Sequence, residues 1–353
     1  MRRARVRIPL LTVAVRLLPA AVVTCLTVAG ALATVARAQP AADASIVGGH
    51  SVVETPAAIE EIQVSGERPG PGLWKVRRGE NTVYVLGTTS PLPRKMKFRS
   101  RELERVLSEA GLFIPTRPSV DVKAGPFRLI GLYRDWRKLR LNPGGVGLDA
   151  VLPPELYARF REARLRYAPR NRKLEELRPL IAAGDLYRAA IESVGLDIDS
   201  DVSDEVRRLA RRAKVPVWEA EQRIDDPRAL LAEIGRVSPS AEQACLATTL
   251  TRIERDLRSM RDHALAWAVG DIEALRSQTA DEQFDACLGA IMSGPRMAEI
   301  AREFDRLGLG AVREALVKHR VSLAVAPMQR LLRPDGVLAQ FAAEGYVVEA
   351  PAN

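Results

Sequence analysis

Imidazoles, thiols and a serine at a strand end are the groups in this sequence that could ligate a metal or attack a carbonyl. The 353-residue chain holds three histidines (His50, His263, His319) and three cysteines (Cys25, Cys245, Cys287). None stands at zinc-finger spacing, and the cysteines are too few for a many-disulfide scaffold. His50 falls in a stretch rich in Ala, Pro and Gly, His263 inside a long helical pattern, and His319 just before an apolar strand. Each reads as a surface or packing residue in preference to a ligand. Ser90 closes Gly87-Thr88-Thr89-Ser90 at the end of a strand pattern. It lacks the Gly-x-Ser-x-Gly elbow and a recognisable His/Asp partner, so its expected role is capping the turn.

Cys25 belongs to a separate segment. Arg2, Arg3, Arg5 and Arg7 lead an apolar run that closes on Ala36-Arg37-Ala38. A basic start, an apolar middle and small residues at an A-x-A site predict a signal peptide over residues 1–38 and an exported, secreted or periplasmic chain. The alternative is an uncleaved anchor, because Leu17 to Ala36 carries no charge and approaches spanning length. Export leaves Cys245 and Cys287 as a pair, predicting a disulfide in an oxidising compartment; two buried free thiols are the other reading.

The formal net charge of +9 invites a nucleic-acid guess. Residues 1–38 hold six arginines and no acid, so residues 39–353 carry 47 basic and 44 acidic side chains, a net of +3. The basic excess belongs mostly to the export segment, and a nucleic-acid surface loses its main support. Any membrane contact is expected only through that segment, if it stays uncleaved.

The elements that must position the chemistry follow from periodicity. Residues 39–72 have no sustained pattern and read as a linker. Leu73–Arg77 and Thr82–Leu86, separated by Arg78-Gly79-Glu80-Asn81, predict a hairpin. A helix over Arg101–Ala110 capped by Ser100 leads to the strand Leu112–Ile114. From Pro126 to His319 the pattern is mainly helical. A helix over Ser203–Ala213 runs into a central strand, Val215–Trp218, and a long helix covers Ala241–Met260. Thr279–Glu282 is a capping box, and Pro295 opens a helix expected to end at Gly308 or Gly310. Strand Val321–Val325, helix Val337–Glu344, Gly345 as its stop and strand Tyr346–Val348 complete the chain. The expected fold is mixed, helix-rich α/β over residues 73–350, its sheet assembled from distant strands near both ends and the middle, with a helical insertion.

Several of these pieces carry a resemblance. Leu73-Trp74-Lys75-Val76 through Gly87-Thr88, Gly147–Leu152, Leu177-Arg178-Pro179-Leu180, Lys214–Glu219, Ala266–Asp271, Gly294-Pro295-Arg296, Pro334–Val337 and Glu344-Gly345-Tyr346 occur in an order that resembles the TraB/PrgY/GumN family. The resemblance implies a scaffold shared with metal-dependent hydrolases or proteases. Its expected site has a Gly-x-x-His after the hairpin, a Glu after the next strand, an Arg-Asn on a later helix and a second Gly-x-x-His near the C-terminus. Imidazoles and a carboxylate would bind a divalent ion that activates water.

This chain departs from that pattern. Serine stands at Ser90, Pro115 or Thr116 at the glutamate, Arg296-Met297 at the Arg-Asn, and Gln329 or Arg330 at the second histidine. These side chains cannot replace imidazole, and Arg330 adds a fixed positive charge beside any cation. Glu219 matches a family glutamate and could orient a group in a cleft, while Arg178 and Arg296 are candidates for an anionic ligand. The expectation is a non-catalytic member with a degenerate site, no cofactor, and an envelope protein, peptide or small ligand as partner, its oligomeric state left open. The alternative is a divergent hydrolase using a divalent metal on oxygen ligands.

Overall fold

The computed structural model describes residues 70, 72–94, 100–116, 119–122, 125–198, 202–278, 287, 289, 291 and 293–351. The expected signal segment, nearly all of the 39–72 linker and the capping box at 279–282 lie outside these residues.

Strands β1 (Leu73–Arg78) and β2 (Asn81–Thr88) pair antiparallel, with Arg78 opposite Asn81. The two-residue loop takes positive φ at Gly79 alone, as a type II′ hairpin turn requires. Next come β3 (Leu92–Pro93), α1 (Arg101–Glu109) and β4 (Leu112–Ile114). Ser100 caps α1 as expected, accepting from the Leu103 N–H at 3.2 Å. Much later, β8 (Val321–Pro327) inserts between β4 and β2, parallel to both, and β9 (Val347–Glu349) joins the outer edge of β1. The sheet order β4-β8-β2-β1-β9 therefore places three parallel strands side by side. Ser322 to Val325 are buried, the pattern of a central strand covered on both faces.

Residues 115–320 run between β4 and its neighbour β8, and the described ones are mainly helical. They comprise β5 (Ser119–Val122), α2 (Pro126–Leu139), α3 (Leu148–Val151), α4 (Pro154–Tyr167), α5 (Pro179–Ser193), β6 (Leu196–Asp197), α6 (Val202–Arg212), β7 (Glu221–Ile224), α7 (Pro227–Gly235), α8 (Pro239–Val269), α9 (Ile272–Gln278) and α10 (Pro295–Lys318). After β8 come α11 (Met328–Leu332) and α12 (Val337–Ala343). A continuous apolar core joins the sheet to α1, α5, α8 and α10. No described helix is long and apolar enough to cross a membrane.

Three expectations change. Helix α10 does not stop at Gly308 or Gly310 but continues to Lys318. Ala311, Val312, Ala315 and Leu316 are buried beyond the glycines, and that packing outweighs about 1 kcal/mol of helix propensity lost per glycine. The central strand over Val215–Trp218 shrinks to a single parallel bridge, Val217 to Phe113, flanked by Phe113 N–H to Pro216 O and Trp218 N–H to Phe113 O bonds. Beyond it the chain forms β7 against β5, a parallel pair of polar composition that gave no strand pattern.

The two cysteines of the described region meet. Cys245 lies in α8, and its sulfur is 1.97 Å from that of Cys287, with Cα atoms 4.5 Å apart. The bridge closes 42 residues, so Cys245→Ser with Cys287→Ser, or reduction, should lower the unfolding free energy by about 4 kcal/mol on the chain-entropy account. Urea unfolding with and without a reductant measures it.

Candidate functional site

In an open sheet of parallel strands, ligands bind beyond the carboxyl ends of the strands. Here β2 ends beside β8, with Gly87 opposite Ala326 and Thr88 opposite Pro327, and β8 pairs Ala324 with Ile114 of β4. The segments that follow are therefore adjacent. In spatial order they carry Glu219 after the Val217 bridge, Pro115 and Thr116 after β4, Gln329 and Arg330 after β8, and Thr89 and Ser90 after β2. At about 4.8 Å per strand this row covers about 14 Å.

Gly87 is set by crowding at this edge. A Cβ there would stand 2.6 Å from Met328 Cε and 3.0 Å from Trp74 Cζ3, so a side chain would have to displace the flexible Met328 tip that packs over β2. The Gly87 carbonyl accepts from Trp267 Nε1 at 2.8 Å. One helical turn earlier, His263 Nε2 lies 3.1 Å from Thr89 Oγ1. Two side chains four residues apart on α8 thus bind the end of β2. Sequence reasoning treated His263 as a surface or packing residue and missed this shared attachment. The 263/267 spacing on one helical face was its available signal.

The candidate residues divide. Ser90 is exposed, and its hydroxyl donates to the Ile198 carbonyl at 3.0 Å, the capping role expected of it. Glu219 and Gln329 are exposed at the same edge. Arg330 is drawn outward into an ion pair with Asp305 of α10, 2.6 Å away. The Thr116 hydroxyl is buried and finds no hydrogen-bond partner among the described residues.

Arg178 and Arg296 lie elsewhere. Arg178 is buried where α5 begins, ion-paired to buried Glu242 in the first turn of α8 and donating to the Gly235 and Val237 carbonyls at 3.3 and 3.4 Å. Glu242 stands 21 residues before His263 on α8, about 31 Å along the axis. Arg178 therefore holds helices together and does not face the strand ends. The guanidinium of Arg296 sits 3.7 Å from Glu233 of α7, whose carboxylate accepts the N–H groups of Arg296 and Met297 and so caps α10. Asp305, the residue that Arg330 reaches, is nine residues further on, about 13 Å. Arg296 marks a helix start beyond the sheet edge.

Near Arg178, Arg140 Nη2 donates to Asp185 Oδ2 at 2.9 Å. Burial raises the Asp185 carboxyl above its ordinary range, more than the guanidinium groups of Arg140 and Arg188 lower it. The folded state therefore holds this proton more tightly than the unfolded chain. Its contribution is complete below the unfolded pKa and declines as pH rises through the folded one. Asp185→Asn should accordingly gain stability relative to wild type between about pH 3 and about pH 7. Urea midpoints at the two pH values check the sign.

The edge does not fit a divalent metal. Its groups are the hydroxyls of Thr89, Ser90 and Thr116, the Gln329 amide, the ion-paired guanidinium of Arg330 and the exposed Glu219 carboxylate. Among the described residues no group of three or more His, Cys, Asp or Glu side chains could hold an ion. Among the described residues the imidazole close to the edge, His263, hydrogen-bonds with Thr89.

Fold and edge together define a helix-rich α/β scaffold with a strand-end site that, among the described residues, has no metal-binding donor set. Residues 72–350, most of the chain, match the TraB/PrgY/gumN family, and the chain belongs to it. No curated protein and no solved structure matched the chain.

Proposed function

We propose that this chain is an exported, non-catalytic member of its family that acts by binding a protein, peptide or small ligand in the cell envelope. One observation supports the reading: where the resemblance expects two histidines and a glutamate, the chain carries Ser90, Pro115 or Thr116, and Gln329 or Arg330, in the segments that follow the three parallel strands. Ser90 is committed to the Ile198 carbonyl, and Arg330 turns away to Asp305. A familiar scaffold does not carry its chemistry once the reacting groups are gone. The same edge keeps an exposed carboxylate, an exposed amide and a buried hydroxyl, which suit hydrogen bonding to a polar ligand.

Elemental analysis of the chain beginning at Gln39 tests this. Every described element lies between residues 70 and 351, so that chain keeps the contacts above. Far less than one divalent ion per chain is expected, together with no metal-dependent hydrolysis of a broad peptide and ester panel. About one tightly held ion per chain, with hydrolysis abolished in a folded Glu219→Ala variant, would instead establish an oxygen-ligated hydrolase.

A further inference from the structure

Helix α2 has a face that nothing in the described structure covers. Leu132 and Trp136, four residues apart, are its buried contacts. At 100° per residue, the stripe directly opposite them carries Phe127 and Ile130, then Arg134, Arg137 and Lys138, with Leu141 just past the end of the helix. Phe127 is 87% exposed, Ile130 58% and Leu141 43%. Among the described residues Arg134, Arg137 and Lys138 make no ion pair. The acid of the helix, Asp135, lies off the stripe and is held by Arg228 at 2.9 Å.

A solvated helix face ordinarily mixes both signs of charge and keeps its aromatics inward. This stripe has apolar groups at its start, cations along its second half and no acid. That is the composition of a helix that lies in a lipid interface: the ring and the branched alkyl group enter the acyl boundary while the long cationic side chains reach phosphate. We propose that the outward face of α2 docks on an anionic phospholipid surface. A bilayer suits it better than a folded partner, because two neighbouring apolar side chains on a convex helix end are a wedge and offer no concave surface to a protein. The net charge of +3 after residue 38 is too small to produce such binding without a local cluster. The site is distinct from the strand-end edge, and its existence does not depend on whether that edge is catalytic.

Flotation of the chain beginning at Gln39 with phosphatidylcholine vesicles, with and without phosphatidylglycerol, tests the proposal. Wild type should float with the phosphatidylglycerol vesicles and lose that association as salt is raised. Arg134→Gln with Arg137→Gln and Lys138→Gln should weaken binding about a hundredfold, and Phe127→Asp with Ile130→Asp at least about tenfold. All five side chains are exposed, so circular dichroism and the unfolding midpoint should match wild type. Absence of flotation with either vesicle overturns the proposal, as does wild-type binding by the Phe127/Ile130 variant. If that variant binds normally but changes sedimentation from dimer to monomer, the face is a contact between copies and the lipid assignment fails.

Discussion

Trp267→Ala should lower the unfolding free energy by about 3–5 kcal/mol, the range for removing a fully buried large aromatic side chain. Two losses combine. The indole leaves a cavity between α8 and the sheet, and the Gly87 carbonyl loses the donor now 2.8 Å away. Trp267→Phe retains most of the apolar volume and isolates the second loss, so about 1–3 kcal/mol is expected from it. The damage should be local as well as global. Because His263 and Trp267 together hold the end of β2, amide exchange at Gly87 to Ser90 should accelerate in both variants before the hairpin turn at Gly79 responds. An alanine variant within about 1 kcal/mol of wild type in urea would mean that α8 does not support the strand ends.

Arg178→Ala should cost about 3–5 kcal/mol, because it leaves the Glu242 carboxylate buried without its counterion. Glu242→Ala should cost a similar amount. It strands the guanidinium and also removes the acceptor 3.5 Å from the Leu180 N–H at the start of α5. The double variant Arg178→Met with Glu242→Leu should be more stable than either single change, since a buried pair replaced by apolar groups of similar size no longer carries the desolvation cost. Urea unfolding of wild type, the two alanine variants and the double variant makes the comparison. A ligand-binding Arg178 would behave differently: its removal would leave stability intact and weaken only binding.

The hairpin, α1 and the closing β8–α12–β9 unit were legible because each signal is local. Alternating apolar residues, a glycine at the one turn position requiring positive φ, and a serine cap act over a few residues whatever surrounds them. The extent of α10 was not. Gly308 and Gly310 are weak helix formers, and only the burial of Ala311 to Leu316 against distant strands carries the helix past them. Nor was the β5–β7 pair legible. Its strands, Ser-Val-Asp-Val and Glu-Gln-Arg-Ile, pair residues 102 apart in sequence and bury none of them, so their pairing is a tertiary fact.

The site divides along the same line. Residue types along the chain were enough to expect a mixed α/β member of this family without the imidazoles that a metal would need, because ligand chemistry depends on which side chains exist. The cysteine count and the expected export could also pair Cys245 with Cys287. Which candidates share a place could not be read that way. Ser90, Thr116 and Gln329 follow three neighbouring parallel strands, and Glu219 follows the Val217 bridge beside them, so all four come to one side of the sheet. Arg178 and Arg296 are removed from that edge because helices of 31 and 24 residues extend well past it. Parallel pairing and helix length are set by long-range burial, and that is why the sequence shows which reactive side chains exist while their arrangement required the fold.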